Sequence, residues 1–321
     1  MGLGLGSANV RVAVTQTEIR KETGNNMAVG ITPDTNDEKP YISVAEFKNA
    51  PTSIDINTLV IGGNQSAQDA ELANVIMRAS SYLNEYLNQN LVASRYTEQQ
   101  RVRINNQGYI ALHPNNSPII SLEVFNYGTT PNNLQALTDP SQCWFEAQQV
   151  IVPLSNMAAT YSSAGPLSFG AAAPRQPMYT NYTYVSGYVN TYIVSANAGS
   201  STLVVTNPIG IVPNQVLRIY DGEVSELVTV SSTYTYGSAT VPLTSALVSS
   251  HLAGATIGNL PSAVKQACIL ATTAFLRIRG DKSNTMSITT RAQGSEITGA
   301  TRYGSELQLA LDMVNLYRRV R

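Results

Sequence analysis

Apolar residues recur along this chain with two periods. Over residues 66–92 Leu72, Val75, Ile76, Ala79, Leu83, Tyr86 and Leu87 fall on one stripe at helical spacing, behind Ser66 and Asp69 at capping-box spacing. Over 260–280 a second helix is predicted. Pro261 sits in its first turn, Val264, Ala267, Cys268, Ala271, Phe275 and Ile278 form its stripe, and Gly280 ends it. Ile269, Leu270 and Leu276 lie off that stripe, so this helix is expected to be covered on more than one side. A last helix starts at Ser305 and carries two apolar faces: Leu307, Ala310, Leu311 and Val314 on one, Leu309, Met313 and Leu316 on the other. One face serves the chain's own core and the second predicts contact with a neighbouring chain. Residues 41–51 read as a strand end followed by a short helix capped by Ser43.

The period changes to two elsewhere. Within 94–128 Tyr96, Val102 and Ile104 alternate with polar residues, "NNQG" turns the chain, "YIAL" follows, and "IISLEVF" comes after the loop "HPNNSP". This predicts an antiparallel meander of three short strands. "CWFEAQQVIVPL" continues it, residues 161–177 form a Gly/Pro/Ala/Ser-rich loop, and "YTNYTYVSGYVN" closes the sheet. Residues 191–259 then hold short runs rich in Val, Thr and Ser with almost no charge, including "LRIY" and "SELVTV" around an Asp221-Gly222 turn. Such spacing predicts a small all-β barrel or sandwich inserted between a strand and a helix. Residues 1–40 read as an extended arm with one strand through Val10, Val12 and Val14. The expected fold is therefore α+β. A helical core of about three main helices with an antiparallel strand meander spans 41–190 and 260–321, with an inserted β domain at 191–259.

Composition sharpens this only slightly. Charged residues make up 13%, about half the usual share, and the net charge is -1. No global basic field exists to hold nucleic acid. A surface built from Ser, Thr, Asn and Gln suits a subunit whose neighbours cover much of it, and also extracellular β proteins. Two cysteines, Cys143 and Cys268, make no framework of bridges, and Cys268 reads as a buried free thiol. No apolar run reaches the roughly 18 residues of a membrane span. "MGLGLGSANVRV" has the pattern of neither a secretion signal, a myristoylation site nor a dinucleotide loop.

Candidate chemistry is sparse. His113 and His251 stand far apart with no Cys or carboxylate at ligand spacing, so no metal site is predicted. His113 reads as a loop residue and His251 as packed in the β module. "GPLSFG", Gly165 to Gly170, misses the nucleophile-elbow pattern by one residue and lies in a loop. Asp221, Glu223 and Glu226 lack calcium-loop order and read as solvated acids of a hairpin turn. "RGD" at 279–281 reads as ordinary helix termination. From 260 onward nine Lys/Arg face four Asp/Glu, ending in Arg318, Arg319 and Arg321. These arginines suit a helix C-terminus, or contact with DNA phosphates or an acidic partner. No catalytic residue, cofactor or metal is predicted, and the chain is not expected to be an enzyme. Leu309, Met313, Leu316, Arg318, Arg319 and Arg321 are the candidate interface.

The order of these segments resembles the head–tail connector (adaptor, or head-completion) proteins of tailed bacteriophages. The resemblance is carried by "YISVAEFKNA", "AELANVIMRASSYLNEYLNQNL", "RYTEQQRVRINNQGYIALHPNNSPIISLEVFNYG", "YTYVSGYVN", "LPSAVKQACILATTAFLRIRGD" and "ELQLALDMVNLYRRVR". It covers about two thirds of the chain, at 41–128, 180–190 and 260–321. In that family the Gly-Tyr strand runs into the Pro-led helix through a short loop, which here would hold the β module. The N-terminal arm and residues 129–178 also depart from the simplest members. The resemblance implies a structural virion protein at the portal vertex, assembled in the host cytoplasm. It further implies a dodecameric ring docked on the portal, contact with a tail-proximal neck or tail-completion protein, and DNA passing through the lumen without sequence-specific binding. A rival expectation is a tail or receptor-binding protein whose β module grips a host surface. It accounts for the low charge and the 17 tyrosines but not for the helices. A cell-wall hydrolase would need a carboxylate pair or metal site that the sequence does not offer.

Overall fold

The computed structural model describes residues 32–33, 39–52, 54–105, 109–137, 140–146, 148–153, 177–222, 224–280 and 298–319. Most of the N-terminal arm, the "GPLSFG" loop, Glu223, Asp281 of the "RGD" and Arg321 lie outside the described residues.

Alternating side chains make the strands, but distant segments pair. β1 (Thr32–Pro33), β2 (Ser94–Arg103), β8 (Pro177–Ser186), β4 (Ile119–Thr130) and β5 (Asn133–Ala136) form one antiparallel sheet in the order β1-β2-β8-β4-β5. β8 is its centre, pairing with β2 from Ser94↔Ser186 to Arg103↔Pro177 and with β4 on its other side. β3 (Tyr109–Leu112), β7 (Gln149–Pro153) and β6 (Trp144–Glu146) make a separate three-stranded sheet in the order β3-β7-β6. The two sheets share one core, built from residues such as Val102, Ile110, Phe125, Val150, Tyr182 and Tyr184. Inside it Glu98 is fully buried and accepts hydrogen bonds from Tyr182 Oη at 3.0 Å and the Asn115 amide at 3.0 Å, and also from Tyr184 Oη.

After β8 the chain passes Gly187, whose φ of +115° and close approach to the Val92 backbone suit only glycine. It then enters β9 (Asn190–Ser195), β10 (Thr202–Val205), β11 (Val216–Asp221), β12 (Val224–Thr229), β13 (Thr240–Pro242) and β14 (Thr256–Gly258). These form a six-stranded curled sheet in the order β12-β11-β14-β9-β10-β13. Its edges meet through a Val230↔Leu243 bridge and a hydrogen bond from Thr244 N to Thr229 O of 2.9 Å. Ile193, Leu203, Leu217, Ile219, Val241 and Ile257 fill its interior. The segment leaves beside its entry: Val189 N donates to Asn259 Oδ1 at 2.7 Å, and Asn259 N to Val189 O at 3.0 Å.

Four α-helices complete the described chain: α1 (Val44–Asn49), α2 (Gln65–Leu87), α3 (Ser262–Gly280) and α4 (Thr298–Val314). Their buried stripes meet in a third core that includes Phe47, Leu72, Ile76, Leu83, Val264, Cys268, Ala310 and Val314.

The expected α+β fold with a helical core and a strand meander is therefore corrected. The protein is mostly β, with sheets of five, six and three strands, and the helices supply one core of three. The meander fails for a physical reason. β2, β3 and β4 are consecutive but, apart from an Ile104↔Ile110 bridge, they do not pair with one another: β2 and β4 both pair with β8, and β3 pairs with β7. Alternation marks which face of a strand is buried; it does not name the neighbour.

Candidate assembly interface

The terminal helix divides its apolar residues between inside and outside. Ala310 and Val314 are fully buried, and Leu307, Leu311 and Met313 pack half-buried against the same helical core. Leu309 remains 52% exposed, and Leu316, on the 3-10 turn Asn315–Tyr317 that follows, 93%. Of the expected second face, Leu309 and Leu316 point to solvent, whereas Met313 belongs partly to the monomer's own core.

Arg318 and Arg319, which follow, are occupied within the chain. α2 ends at Leu87 with Asn88 in the left-handed conformation, and its last carbonyls lack helical partners. The C-terminal residues supply donors there. Arg319 N donates to Leu87 O at 3.0 Å, Asn88 Nδ2 donates back to Arg319 O at 3.1 Å, and Gln89 Nε2 donates to Tyr317 O at 2.6 Å. The Arg318 guanidinium lies 4.8 Å from the Tyr86 ring centroid, and that of Arg319 donates to Pro114 O. The Arg318 cation thus sits beside the C-terminal, negative end of α2 rather than of its own helix, while the Arg319 cation reaches the β3–β4 loop. The Gln89 carboxamide accepts from Ser117 N at 3.2 Å, so the same strap ties the helices to the β3–β4 loop.

A second seam joins the curled sheet to the helices. Ser43 and Glu46 cap α1 reciprocally: Glu46 N donates to Ser43 Oγ at 3.1 Å and Ser43 N to Glu46 Oε2 at 2.8 Å. The other oxygen, Oε1, accepts from Lys265 Nζ of α3 at 2.5 Å. That ammonium also stands 3.7 Å from the Tyr220 ring centroid of β11, so one buried cation links three elements. Burial pushes the Lys265 pKa down, and the neighbouring Glu46 carboxylate opposes the shift. A cleft of about 350 Å³ opens beside the pair, walled by Ile42, Pro51, Ile269, Gln266 and Asn49, and by Gly222 of the β11–β12 turn.

The hairpin acids are not the solvated turn expected from sequence. Asp221 and Glu226 fold back onto residues 247–252. His251, its side chain fully buried, places Nδ1 3.3 Å from Asp221 Oδ2 and Nε2 3.2 Å from Glu226 Oε2. Asp221 also accepts from Leu252 N at 2.9 Å, and Glu226 from Val248 N at 2.8 Å and Ser249 N at 3.2 Å. This pins a loop on which Val248 and Leu252 are 82% and 74% exposed. His113 lies exposed in a loop held by Gln100. Among the described residues no group of three His, Cys, Asp or Glu side chains is arranged to hold a metal ion, and both cysteines are free. Sequence reasoning missed Lys265 and Glu46 as a joint. The signal was a lysine next to Val264 on the stripe side of a largely apolar helix.

Comparison with protein-family models and with curated proteins finds no match for this chain.

Proposed function

We propose that the chain is a non-enzymatic structural subunit of a tailed-phage neck, a connector that forms a ring, docks on the portal and joins the DNA-filled head to the tail. The observation that carries the proposal is the solvent-facing pair Leu309, on a terminal helix whose opposite side is already buried, and Leu316, on the 3-10 turn that follows it. Covering a leucine is worth roughly 1.5–3 kcal/mol, so the pair offers that gain to a neighbour seated over it. The segment order that resembles the connector family supports the same reading, as does a net charge near zero, which keeps any contact with passing DNA weak. The dodecameric count, the tail-side neighbour and the place at the portal vertex follow from that resemblance.

The test is sedimentation velocity and negative-stain microscopy of the full chain beside a Leu309→Glu/Leu316→Glu variant, with portal capture as a second readout. The wild type should form rings and bind portal, and the variant should remain folded but lose both. A wild type that stays monomeric at all concentrations and ignores the portal would overturn the proposal. The exposed Val248 and Leu252 favour one rival, a tail protein gripping a host surface through the curled sheet. Immunogold labelling of virions at the tail tip rather than the neck would select it.

A further inference from the structure

We infer that the outer face of the five-stranded sheet contacts the phosphate backbone of duplex DNA. The inner face of this sheet is covered by the three-stranded sheet, and β2 turns Ser94, Tyr96, Glu98 and Val102 into that side. The alternate residues Arg95, Gln99, Arg101 and Arg103 therefore point the other way, and the last three are exposed. From Arg95 to Arg103 the row spans about 27 Å at the ordinary strand rise.

Charge decides the partner. Glu123 of β4 is held by Arg95 through Nε at 2.6 Å and Nη2 at 3.0 Å, which neutralises both. Arg101 and Arg103 form no ion pair with any described residue, so two guanidinium groups two residues apart stay available. Across β8 Gln99 pairs with Asn181, Arg101 with Tyr179 and Arg103 with Pro177, and Thr97 and Thr183 share a 2.9 Å hydroxyl hydrogen bond. At the Arg95 end Tyr236 of the curled sheet donates to Glu123 at 3.2 Å, and beyond it this face carries amide and hydroxyl groups with an excess of positive charge among the described residues. A guanidinium fork suits phosphate oxygens. A glycan would want an open aromatic ring, whereas Tyr179 has Arg101 over it at 5.6 Å from the ring centroid. Two exposed cations per subunit imply weak, sequence-independent contact. The biological setting rests on the neck reading; the contact itself does not.

The test is fluorescence anisotropy of the full chain with a short mixed-sequence duplex at several salt concentrations. Two neutralised phosphates imply a log–log salt slope of about -2 per bound subunit, or about tenfold weaker binding on a fourfold rise in salt. Arg101→Ala/Arg103→Ala should flatten that slope by about two, and Arg101→Glu/Arg103→Glu should abolish binding, both with unchanged thermal unfolding because the side chains are exposed. Binding that survives either variant, absence of duplex binding at low salt, or a preference for glycans over duplex in a competition arm would reject the inference. Rings without DNA binding would sink this inference alone. DNA binding by a chain that never forms rings would sink the connector proposal and leave this one standing.

Discussion

At the scale of single residues, buried polar groups do the most specific work. Burial alone would raise the Glu226 pKa, but the amides of Val248 and Ser249 and the His251 ring outweigh it and hold the carboxyl below its ordinary value of 4.5. A group whose folded pKa lies below its unfolded value stabilises fully above the unfolded value, and loses that contribution as pH falls through the folded one. The loop 247–252 should therefore loosen in acid, below the ordinary carboxylate range. Amide hydrogen exchange at Val248 and Ser249, corrected for intrinsic rates, should rise there, and Glu226→Gln should remove the pH dependence. Equal protection at neutral and acid pH would show that the carboxylate does not hold the loop. None of this was legible in "YDGEVSE". The acids read as solvated because their partners stand some twenty to thirty residues away, on a loop with no local pattern of its own.

Elements were legible in proportion to how local their causes are. The helix expected over 66–92 forms at Gln65–Leu87, because the stripe that buries Leu72, Val75, Ile76, Ala79 and Leu83 is written at 3.6-residue spacing. The Ser43 cap needed only Glu46 three residues on. How α1, α3 and β11 dock on one another was not legible, since it depends on one lysine reaching a carboxylate 219 positions away. Removing one partner of a buried ion pair leaves the other charged and unsatisfied, at a cost of about 3–5 kcal/mol. Glu46→Ala should approach that loss and also remove the cap, whereas replacing the pair together by Glu46→Leu/Lys265→Met should cost much less. Urea unfolding midpoints measure both. Equal destabilisation by the single and double variants would mean that capping, not the ion pair, is what matters.

For the whole molecule, the paired ends of the curled sheet bear on the reading of 191–259 as an inserted unit, which remains a proposal. Val189 and Asn259 hydrogen-bond to each other, so a short linker can span the gap left by excision. Replacing 191–258 with a Gly/Ser linker should yield a soluble protein that unfolds cooperatively and keeps the helical core. The excision uncovers Lys265 where Tyr220 lay, so it should be paired with Lys265→Met, which is expected to recover part of the lost stability. Aggregation of both versions, or a broad uncooperative transition, would argue that the sheets and helices form one folding unit.

The sequence by itself determined the buried stripes of the helices at Gln65–Leu87 and Ser262–Gly280, the inward-facing residues of β2 and the Asp221-Gly222 turn, whereas the last helix begins at Thr298 rather than at the expected Ser305. Those outcomes depend on side-chain period and backbone sterics within a few residues. Only the tertiary structure decided that β8 lies between β2 and β4, that β3 leaves its chain neighbours for another sheet, and that the molecule is mostly β. It also turned Arg318 and Arg319 onto the end of α2, placed Met313 against the core, and left Leu309, Leu316 and the arginine row of β2 outside. Strand pairing, ion-pair partners and solvent exposure are relations between residues far apart in the chain. A local pattern states that a side chain needs a partner; the packed chain chooses which one.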